Sequence, residues 1–397
     1  LRLEDLSGIG FEGESLRFYP QGSLVAPVVG FYGFDSAGKP RGKYGLEGFF
    51  DEQLSGRAGY LATESDARGA PLSLAPKDFQ PSLDGDDLIL TIDRSLQFFV
   101  CEKLRQGLKE YEAEKALAVI VEPKSGAILA MCDEPSFDPN RYAEVKDQSL
   151  FNNDVIFTPY EPGSVFKAFT MAGAIDAGKV TPETTYIDKG ALRHDGFTIR
   201  NAADKVYGEQ NMIGVLKESI NTGAVFAAEA LGRDLFKKYA QNFGFGSLTG
   251  LELKSEAAGN INSLNRKGGI YLATASFGQG LTATPLQLVS AYAVFANGGK
   301  LMKPYVVAEI RKSDGGVIKT EPTEIRQVIS SRTAKLISGM LAVVVSEGHA
   351  KAAQVAGYTL AGKTGTAEIP DFESGGYTED TEQTFIGYGP VDDPRFT

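Results

Sequence analysis

A-L-A-V-I-V-E-P-K-S-G-A-I-L-A-M occupies residues 116–131. Two apolar runs flank Pro123-Lys124-Ser125-Gly126. Pro and Gly at so short a break signal a tight turn between antiparallel strands that are buried on at least one face. Upstream, D-L-I-L-T-I-D at 87–93 reads as a strand, and Ser95 to about Glu112 as a helix with Ser95 as its N-cap.

Downstream the texture turns helical. Ser164 to Ala177 carries apolar residues on nearly every side (Val165, Phe166, Phe169, Met171, Ile175), so this helix should be buried, with Gly178 at its stop. Met212–Ile220 and Gly223–Leu231 read as helices split by Asn221-Thr222. Thr284-Pro285 is an N-cap/N1 pair opening a helix that runs to Asn297-Gly298-Gly299, and Ser331 to about Ser346 is another. The tail returns to strands: Tyr358–Leu360, G-K-T-G-T-A-E at 362–368, a polar loop at 370–381, then T-F-I-G-Y-G-P and a turn at V-D-D-P. Hairpin, long helical insert and strands again make an α+β fold, an antiparallel sheet with helices packed on it.

Residues 1–86 differ. They are rich in Gly, Pro, Ser and short apolar runs, which predicts mostly short strands and turns with one short helical piece near Leu46–Leu54. A chain of 397 residues is too long for one small core. We expect an N-terminal domain over 1–86 and a larger one over 87–397.

Composition excludes some classes of function. The net charge of −11 and the lack of any Lys/Arg-rich run argue against nucleic acid, which needs a basic surface. Cys101 and Cys132 stand in no metal-ligand spacing and there are only two histidines, His194 and His349, so no metal is expected. No run reaches the ~18 apolar residues needed to span a bilayer. The chain starts at Leu1 and stops at P-R-F-T, inside an expected strand, so we expect it to continue at both ends.

Three short motifs carry chemistry. Ser164 precedes Lys167 by three residues at the start of the apolar helix, which puts both on one face. A desolvated lysine there can take the hydroxyl proton and make the serine a nucleophile. The helix N-terminus aims N–H groups at a developing oxyanion. The same residues also suit an N-cap serine beside a solvated lysine. Ser219-Ile220-Asn221 lies at the helix break: Ser219 could relay a proton between Lys167 and a leaving amine, and Asn221 could bond a substrate amide. A helix C-terminus with Asn as its left-handed cap reads equally well there. Lys363-Thr364-Gly365-Thr366 offers a cation for a carboxylate and for lowering the pKa of Lys167. It also offers a glycine for close backbone approach and a hydroxyl with its N–H at Thr366. A plain β-turn is the alternative.

Taken together and in this order, S-V-F-K (164–167), S-I-N (219–221) and K-T-G-T (363–366) resemble the motif set of the penicillin-binding proteins and β-lactamases. G-Q-G-L-T-A-T-P-L-Q-L at 278–288 and P-S-F-D-P-N at 135–140 add to the likeness. R-F-Y-P-Q-G at 17–22 and G-L-E-G-F-F-D-E-Q-L-S-G at 45–56 resemble the non-catalytic pedestal of the class B, monofunctional transpeptidases. The resemblance covers nearly the whole chain. It departs at Gly348-His349, where the family often has Gly-Thr.

The resemblance implies a transpeptidase domain with helices on both faces of an antiparallel sheet and a helical subdomain, plus a small β-rich pedestal that is incomplete here. It implies a peptidoglycan D,D-transpeptidase working through a serine acyl-enzyme, with stem peptides as substrates, β-lactam antibiotics as covalent inhibitors and no cofactor. Ser164, Lys167, Ser219, Asn221 and Lys363 would be catalytic. Thr364, Gly365 and Thr366 would bind substrate, and the backbone N–H groups of Ser164 and Thr366 would form the oxyanion hole. It also implies a SEDS-type glycan polymerase and division or elongation proteins as partners. The expected place is the outer side of the bacterial cytoplasmic membrane, held by an N-terminal helix absent from this chain. A D,D-carboxypeptidase or β-lactamase-like hydrolase, a β-lactam sensor and a non-catalytic scaffold are the rival readings. No E-x-x-L-N stretch of the kind that activates water in class A β-lactamases is present.

Overall fold

The computed structural model describes residues 16–64, 77–370 and 376–397. The rest of the expected N-terminal domain (1–15 and 65–76) and residues 371–375 of the expected polar loop lie outside them.

The first part of the chain is more helical than its Gly and Pro content predicts. A 3-10 turn at Gly22–Leu24 leads into α1 (Ala26–Val29). β1 (Phe31–Phe34) and β2 (Pro40–Lys43) form an antiparallel hairpin, followed by α2 (Gly45–Phe49) and α3 (Asp51–Ser55). These last two are the expected helical piece, broken at Phe50. β3 (Tyr60–Thr63) pairs with β4 (Lys77–Gln80) on an exposed face. The segment is not free-standing. Phe31 stacks on Tyr142 at 4.5 Å and packs on Phe151 at 4.8 Å, both from beyond the expected boundary.

β5 (Asp87–Leu90) leads to α4 (Arg94–Glu110). Its N-cap is Asp93, whose carboxylate accepts from Leu96 N–H, and not Ser95, which lies inside the first turn. β6 (Ala116–Val121) and β7 (Ile128–Glu134) form the expected hairpin, in register from Ala116 opposite Glu134 to Ile120 opposite Ala130. α4 packs on this hairpin, and a disulfide joins Cys101 to Cys132, with Cα atoms 5.5 Å apart. That pairing has no signal in the spacing; it exists because the helix lies across the strand.

The insert begins with α5 (Asp154–Phe157), a 3-10 turn at Gly163–Phe166 and α6 (Lys167–Asp176). Four short strands follow as two antiparallel pairs. β8 (Thr185–Asp188) pairs with β11 (Gly208–Asn211), and β9 (Ala191–His194) with β10 (Phe197–Arg200). Helices α7 (Met212–Lys217), α8 (Asn221–Leu231), α9 (Arg233–Asn242) and α10 (Gly269–Ala275) come next. α11 (Pro285–Ala296) starts on Thr284 with a full capping box: Gln287 N–H donates to Thr284, and the Thr284 N–H donates back to the Gln287 side chain. α11 is buried along nearly its whole length.

β12 (Lys300–Met302) pairs with β15 (Glu324–Gln327), and β13 (Val307–Arg311) lies between β14 (Val317–Lys319) and β5. α12 (Ser331–Glu347) is capped by Ser330. β16 (Ala361–Pro370) and β17 (Tyr377–Tyr388) then form a long hairpin. Tyr358–Leu360 is not a strand: Tyr358 closes a turn by a single bridge to Val355, and Thr359 and Leu360 are irregular. The strand that follows the loop begins at Tyr377, inside the loop expected at 370–381.

Every strand pair among the described residues is antiparallel, and α6, α11 and α12 build the main core between the insert and the β16–β17 hairpin. Within it the rings of Phe166, Phe169, Phe243, Phe245, Tyr292 and Phe295 pack edge to face or tilted at 5.0–5.7 Å. Each such buried ring contributes roughly 1.5–3 kcal/mol by leaving water. This cluster sits directly under the turn that carries Ser164. Among the described residues, no helix is long and apolar enough to cross a membrane.

Candidate active site

Ser164 sits inside the 3-10 turn Gly163–Phe166 rather than at a helix cap. With three residues per turn, side chains at i and i+3 eclipse, which places Lys167 directly below Ser164. The turn is pinned at both ends. Tyr292 donates its hydroxyl to the Val165 carbonyl at 2.8 Å, and Gly163 N–H donates to the Gly278 carbonyl at 3.1 Å. Gly278 takes a φ of +85°, and a Cβ there would lie 2.1 Å from the Gly163 carbonyl oxygen. Gly365 on β16 presses against the other side: a Cβ there would lie 2.8 Å from the Pro162 carbonyl oxygen. Ser164 is thus held between two glycine contacts, and Gly365 allows the close backbone approach expected of it.

Lys167 is 1% exposed. Its Nζ donates to the Ser219 carbonyl at 2.6 Å and to Ser219 Oγ at 3.2 Å. Burial, and then the charge of Lys363, hold its pKa well below 10.5. The solvated-lysine alternative is therefore excluded. Lys363 is fully buried as well, and burial pushes its pKa down to about 8. Its Nζ donates to the Thr364 carbonyl at 3.1 Å.

Ser219 is the residue in the left-handed region, with φ +57°, and Asn221 is the first residue of α8. The helix break lies at residues 218–220, just before the expected Asn221-Thr222, and its strained residue is Ser219 and not an Asn cap. Such a conformation costs a non-glycine residue on the order of 1 kcal/mol. The Lys167–Ser219 contacts help hold it. Asn221 is half-buried, and its Nδ2 donates to the Arg200 carbonyl at 2.8 Å.

Along β16 the two-residue period puts Lys363, Gly365 and Ala367 on the buried face against the Ser164 turn, while Thr364 and Thr366 alternate to the other. Thr366 Oγ1 donates to Gln383 Oε1 across the hairpin at 2.9 Å. Phe385, opposite Thr364, lies over Gly362 and Gly387. Ser164, Lys167, Ser219 and Lys363 therefore converge, and Asn221, Thr364 and Thr366 border them.

Sequence reasoning passed over Glu161. Buried just ahead of the Ser164 turn, it accepts from Gly280 N–H at 2.9 Å and from the Tyr377 hydroxyl at 3.2 Å. It ties the turn to the start of β17. Nothing in E-P-G-S announces that tie, since both donors come from far along the chain. Among the described residues no cluster of His, Cys, Asp or Glu could hold a metal ion.

The two buried lysines have a cost that can be measured. Lys363 is charged in the folded and unfolded states at pH 7, yet its folded pKa lies below 10.5, so its burial opposes folding by on the order of 3 kcal/mol there. That penalty should fade as pH rises from about 8 to 10.5, because the unfolded chain then holds the extra proton. Lys363→Met is expected to raise the thermal unfolding midpoint at pH 7 and to flatten its rise across that window. An unchanged midpoint and slope would show that the ammonium is not desolvated.

The chain is similar to known proteins over nearly its whole length. Residues 116–397 match the family model of the penicillin binding protein transpeptidase domain, and residues 1–90 that of the penicillin-binding protein dimerisation domain. The chain is 38% identical over 397 residues to stage V sporulation protein D of Bacillus subtilis, covering 98% of this chain and 60% of that protein. It is 31% identical to the peptidoglycan D,D-transpeptidase FtsI of Escherichia coli K12, covering 98% and 63%. Penicillin binding protein 3 from Mycobacterium tuberculosis, solved in its apo form and with aztreonam, superposes with a TM-score of 0.83 at 31% identity, over 96% of this chain and 82% of that one. The chain spans about 60% of the length of the curated relatives it matches. With both family models matched in order, the chain belongs to the class B penicillin-binding proteins, a transpeptidase domain preceded by a dimerisation domain.

Proposed function

We propose that this chain carries the acyl-transfer centre of a peptidoglycan D,D-transpeptidase. Ser164 Oγ attacks the penultimate D-alanine carbonyl of a stem peptide ending in D-Ala-D-Ala, and Lys167 Nζ takes the hydroxyl proton. The tetrahedral oxyanion is held by the N–H groups of Ser164 and Thr366. It collapses with loss of the terminal D-Ala, whose amine receives the proton through Ser219. An amine of a neighbouring stem peptide then displaces Ser164 from the acyl group. Lys363, Thr364 and Thr366 recognise the substrate carboxylate, Gly365 lets the backbone approach, and Asn221 bonds the substrate amide. A single observation carries the reading. The amine of Lys167 is buried below a serine, bonded to a second serine, and held well under its ordinary pKa by burial and by Lys363. β-Lactams acylate the same serine in this reading, and the named complexes of the M. tuberculosis protein with aztreonam and ampicillin support it.

The division at 86/87 is supported by the strand after it, β5, which pairs with β13 of the C-terminal part. We place the protein on the outer side of the bacterial cytoplasmic membrane, anchored by a segment outside these residues. A SEDS-type polymerase and division or elongation proteins are its partners there. The buried disulfide supports an oxidising compartment.

Incubation with benzylpenicillin followed by intact-protein mass and peptide mapping tests the reading. A stable adduct on the peptide holding Ser164, lost in Ser164→Ala, is the expected result. Hydrolysis of penicillin without an adduct would replace transpeptidation by a hydrolase, and neither adduct nor hydrolysis would mean a scaffold. Ser219→Ala is expected to slow acylation about 10²-fold with the fold intact, since it removes one partner of the Lys167 amine. A wild-type rate in that variant would strip Ser219 of its relay role.

A further inference from the structure

Asp188, at the end of β8 and 2% exposed, is a buried carboxylate that the mechanism above does not use. It accepts five hydrogen bonds: from Thr222 Oγ1 at 2.6 Å, Tyr207 N–H at 2.7 Å, Gly190 N–H at 3.0 Å, and Asn201 Nδ2 at 3.0 and 2.9 Å. Burial opposes its charge, but these donors outweigh burial and lower its pKa. It is therefore an anion at working pH. Two of its donors reach the turn that holds Ser219. Thr222 follows Asn221 directly, and its N–H donates to Asn201 Oδ1 at 3.2 Å while its hydroxyl donates to Asp188. Arg200, next to Asn201, accepts from Asn221 Nδ2. Tyr186, on the same strand as Asp188, has its hydroxyl 3.3 Å from Thr222 Oγ1 and its ring stacked on Phe226 of α8 at 5.3 Å.

This arrangement exceeds what a helix start needs. An ordinary N-cap satisfies one or two N–H groups. Here an ionised carboxylate fixes the first turn of α8 at Thr222, directly through its hydroxyl and by way of the Asn201 amide through its N–H, three residues beyond a backbone held at φ +57°. Hydrogen bonds to a buried charge are the strong ones, and a fully satisfied buried network specifies a single geometry. What it specifies is the position of the Ser219 carbonyl, which lies 2.6 Å from the Lys167 amine.

We propose that Asp188 is a positioning residue for acyl transfer, acting through Thr222 to hold the Ser219–Asn221 turn against Lys167. The inference rests on the acyl-transfer reading. It predicts that Asp188 governs the rate of the chemical step rather than encounter with the acylating agent. Loosening the turn also admits water to an amine whose charging is opposed chiefly by burial. The Lys167 pKa should then rise, and the acid limb of the acylation profile should move to higher pH. Lys363, whose charge also lowers the Lys167 pKa, stays in place.

The experiment is the rate of acylation of the whole chain by benzylpenicillin, as a function of its concentration and of pH, for wild type, Asp188→Asn, Thr222→Val, Thr222→Ser and Ser164→Ala. Asp188→Asn turns one acceptor oxygen into a donor that faces donors. It and Thr222→Val are expected to lower the limiting acylation rate at least tenfold, to change the half-saturating concentration less than threefold, and to shift the acid limb upward. Thr222→Ser keeps the hydroxyl and should restore both rate and limb. Asp188→Asn combined with Thr222→Val should be no slower than Asp188→Asn alone, because both act through one bond. If Asp188→Asn does not fold, the Thr222 pair carries the test. A lower unfolding midpoint with wild-type limiting rate and acid limb would overturn the proposal and leave Asp188 a structural anion. An adduct that survives in Ser164→Ala would instead overturn the acyl-transfer reading itself.

Discussion

Lys167→Ala is expected to slow acylation by benzylpenicillin roughly 10³-fold while leaving a folded protein. The rate falls because the variant loses the only amine among the described residues that bonds Ser219 beneath the Ser164 turn. The fold survives because removing a buried amine, whose charging burial opposes, offsets much of the packing lost with the three methylenes beyond Cβ. The wild-type rate should rise with pH through the folded pKa of Lys167, since its neutral form is the base, and this limb should lie well below 10.5. Lys167→Arg should be as slow as Lys167→Ala, because a guanidinium does not deprotonate. Lys363→Met takes away a neighbouring positive charge, so the limb should move to higher pH in that variant. Stopped-flow acylation across pH checks all of these. An acylation rate in Lys167→Ala within threefold of wild type would end the assignment of Lys167 as base.

Gly278→Ala should be the most damaging methyl group near the site. The added Cβ meets backbone first: the Gly163 carbonyl oxygen at 2.1 Å and its nitrogen at 2.7 Å. Backbone cannot swing away as a flexible side chain does. Either the Ser164 turn or the Gly278 segment must move, and the Gly163 N–H to Gly278 carbonyl bond goes with it. Strain at φ +85° adds about 1 kcal/mol, and the clash should bring the loss of stability to about 2–4 kcal/mol. A shift of the nucleophile by even ~1 Å should cost acylation about 10²-fold. Gly232→Ala is the control. Its φ is +83°, yet nothing lies within 4 Å of its Cβ, so strain should act alone and acylation should be kept. Equal losses of rate in the two variants would show that strain rather than contact governs the site.

The hairpin at 116–134 and the start of α11 at Thr284-Pro285 were legible because local chemistry and tertiary structure agree there. The capping box satisfies helix donors whatever surrounds it, and P-K-S-G turns a chain on its own. The three motifs were legible as residues, though not as geometry. Ser219 takes the left-handed conformation that propensity would give to Asn221, since contacts from Lys167 and the anchoring of α8 outweigh a backbone preference of on the order of 1 kcal/mol. The 3-10 start of α6 escaped notice because its cause is the pressure of Gly365 and Gly278 from distant segments. Asp188 stood in T-Y-I-D, a plain strand end, and its five hydrogen bonds come from residues 2 to 34 positions away. Ser95 was read as a cap because Asp93 looked like the last residue of a strand.

The bond between Cys101 and Cys132 ties α4 to β7, a layer that carries none of the site residues, with both cysteines almost wholly out of solvent. A reductant can reach such sulfurs only while the helix stands off the strand. The speed at which dithiothreitol frees them in native buffer, followed by maleimide labelling, therefore counts how often that layer breathes. Penicilloylation of Ser164 then asks a question of the whole molecule. Slower release of thiols would mean that the layer and the acylated site open as one cooperative unit, and an unchanged speed that each breathes alone.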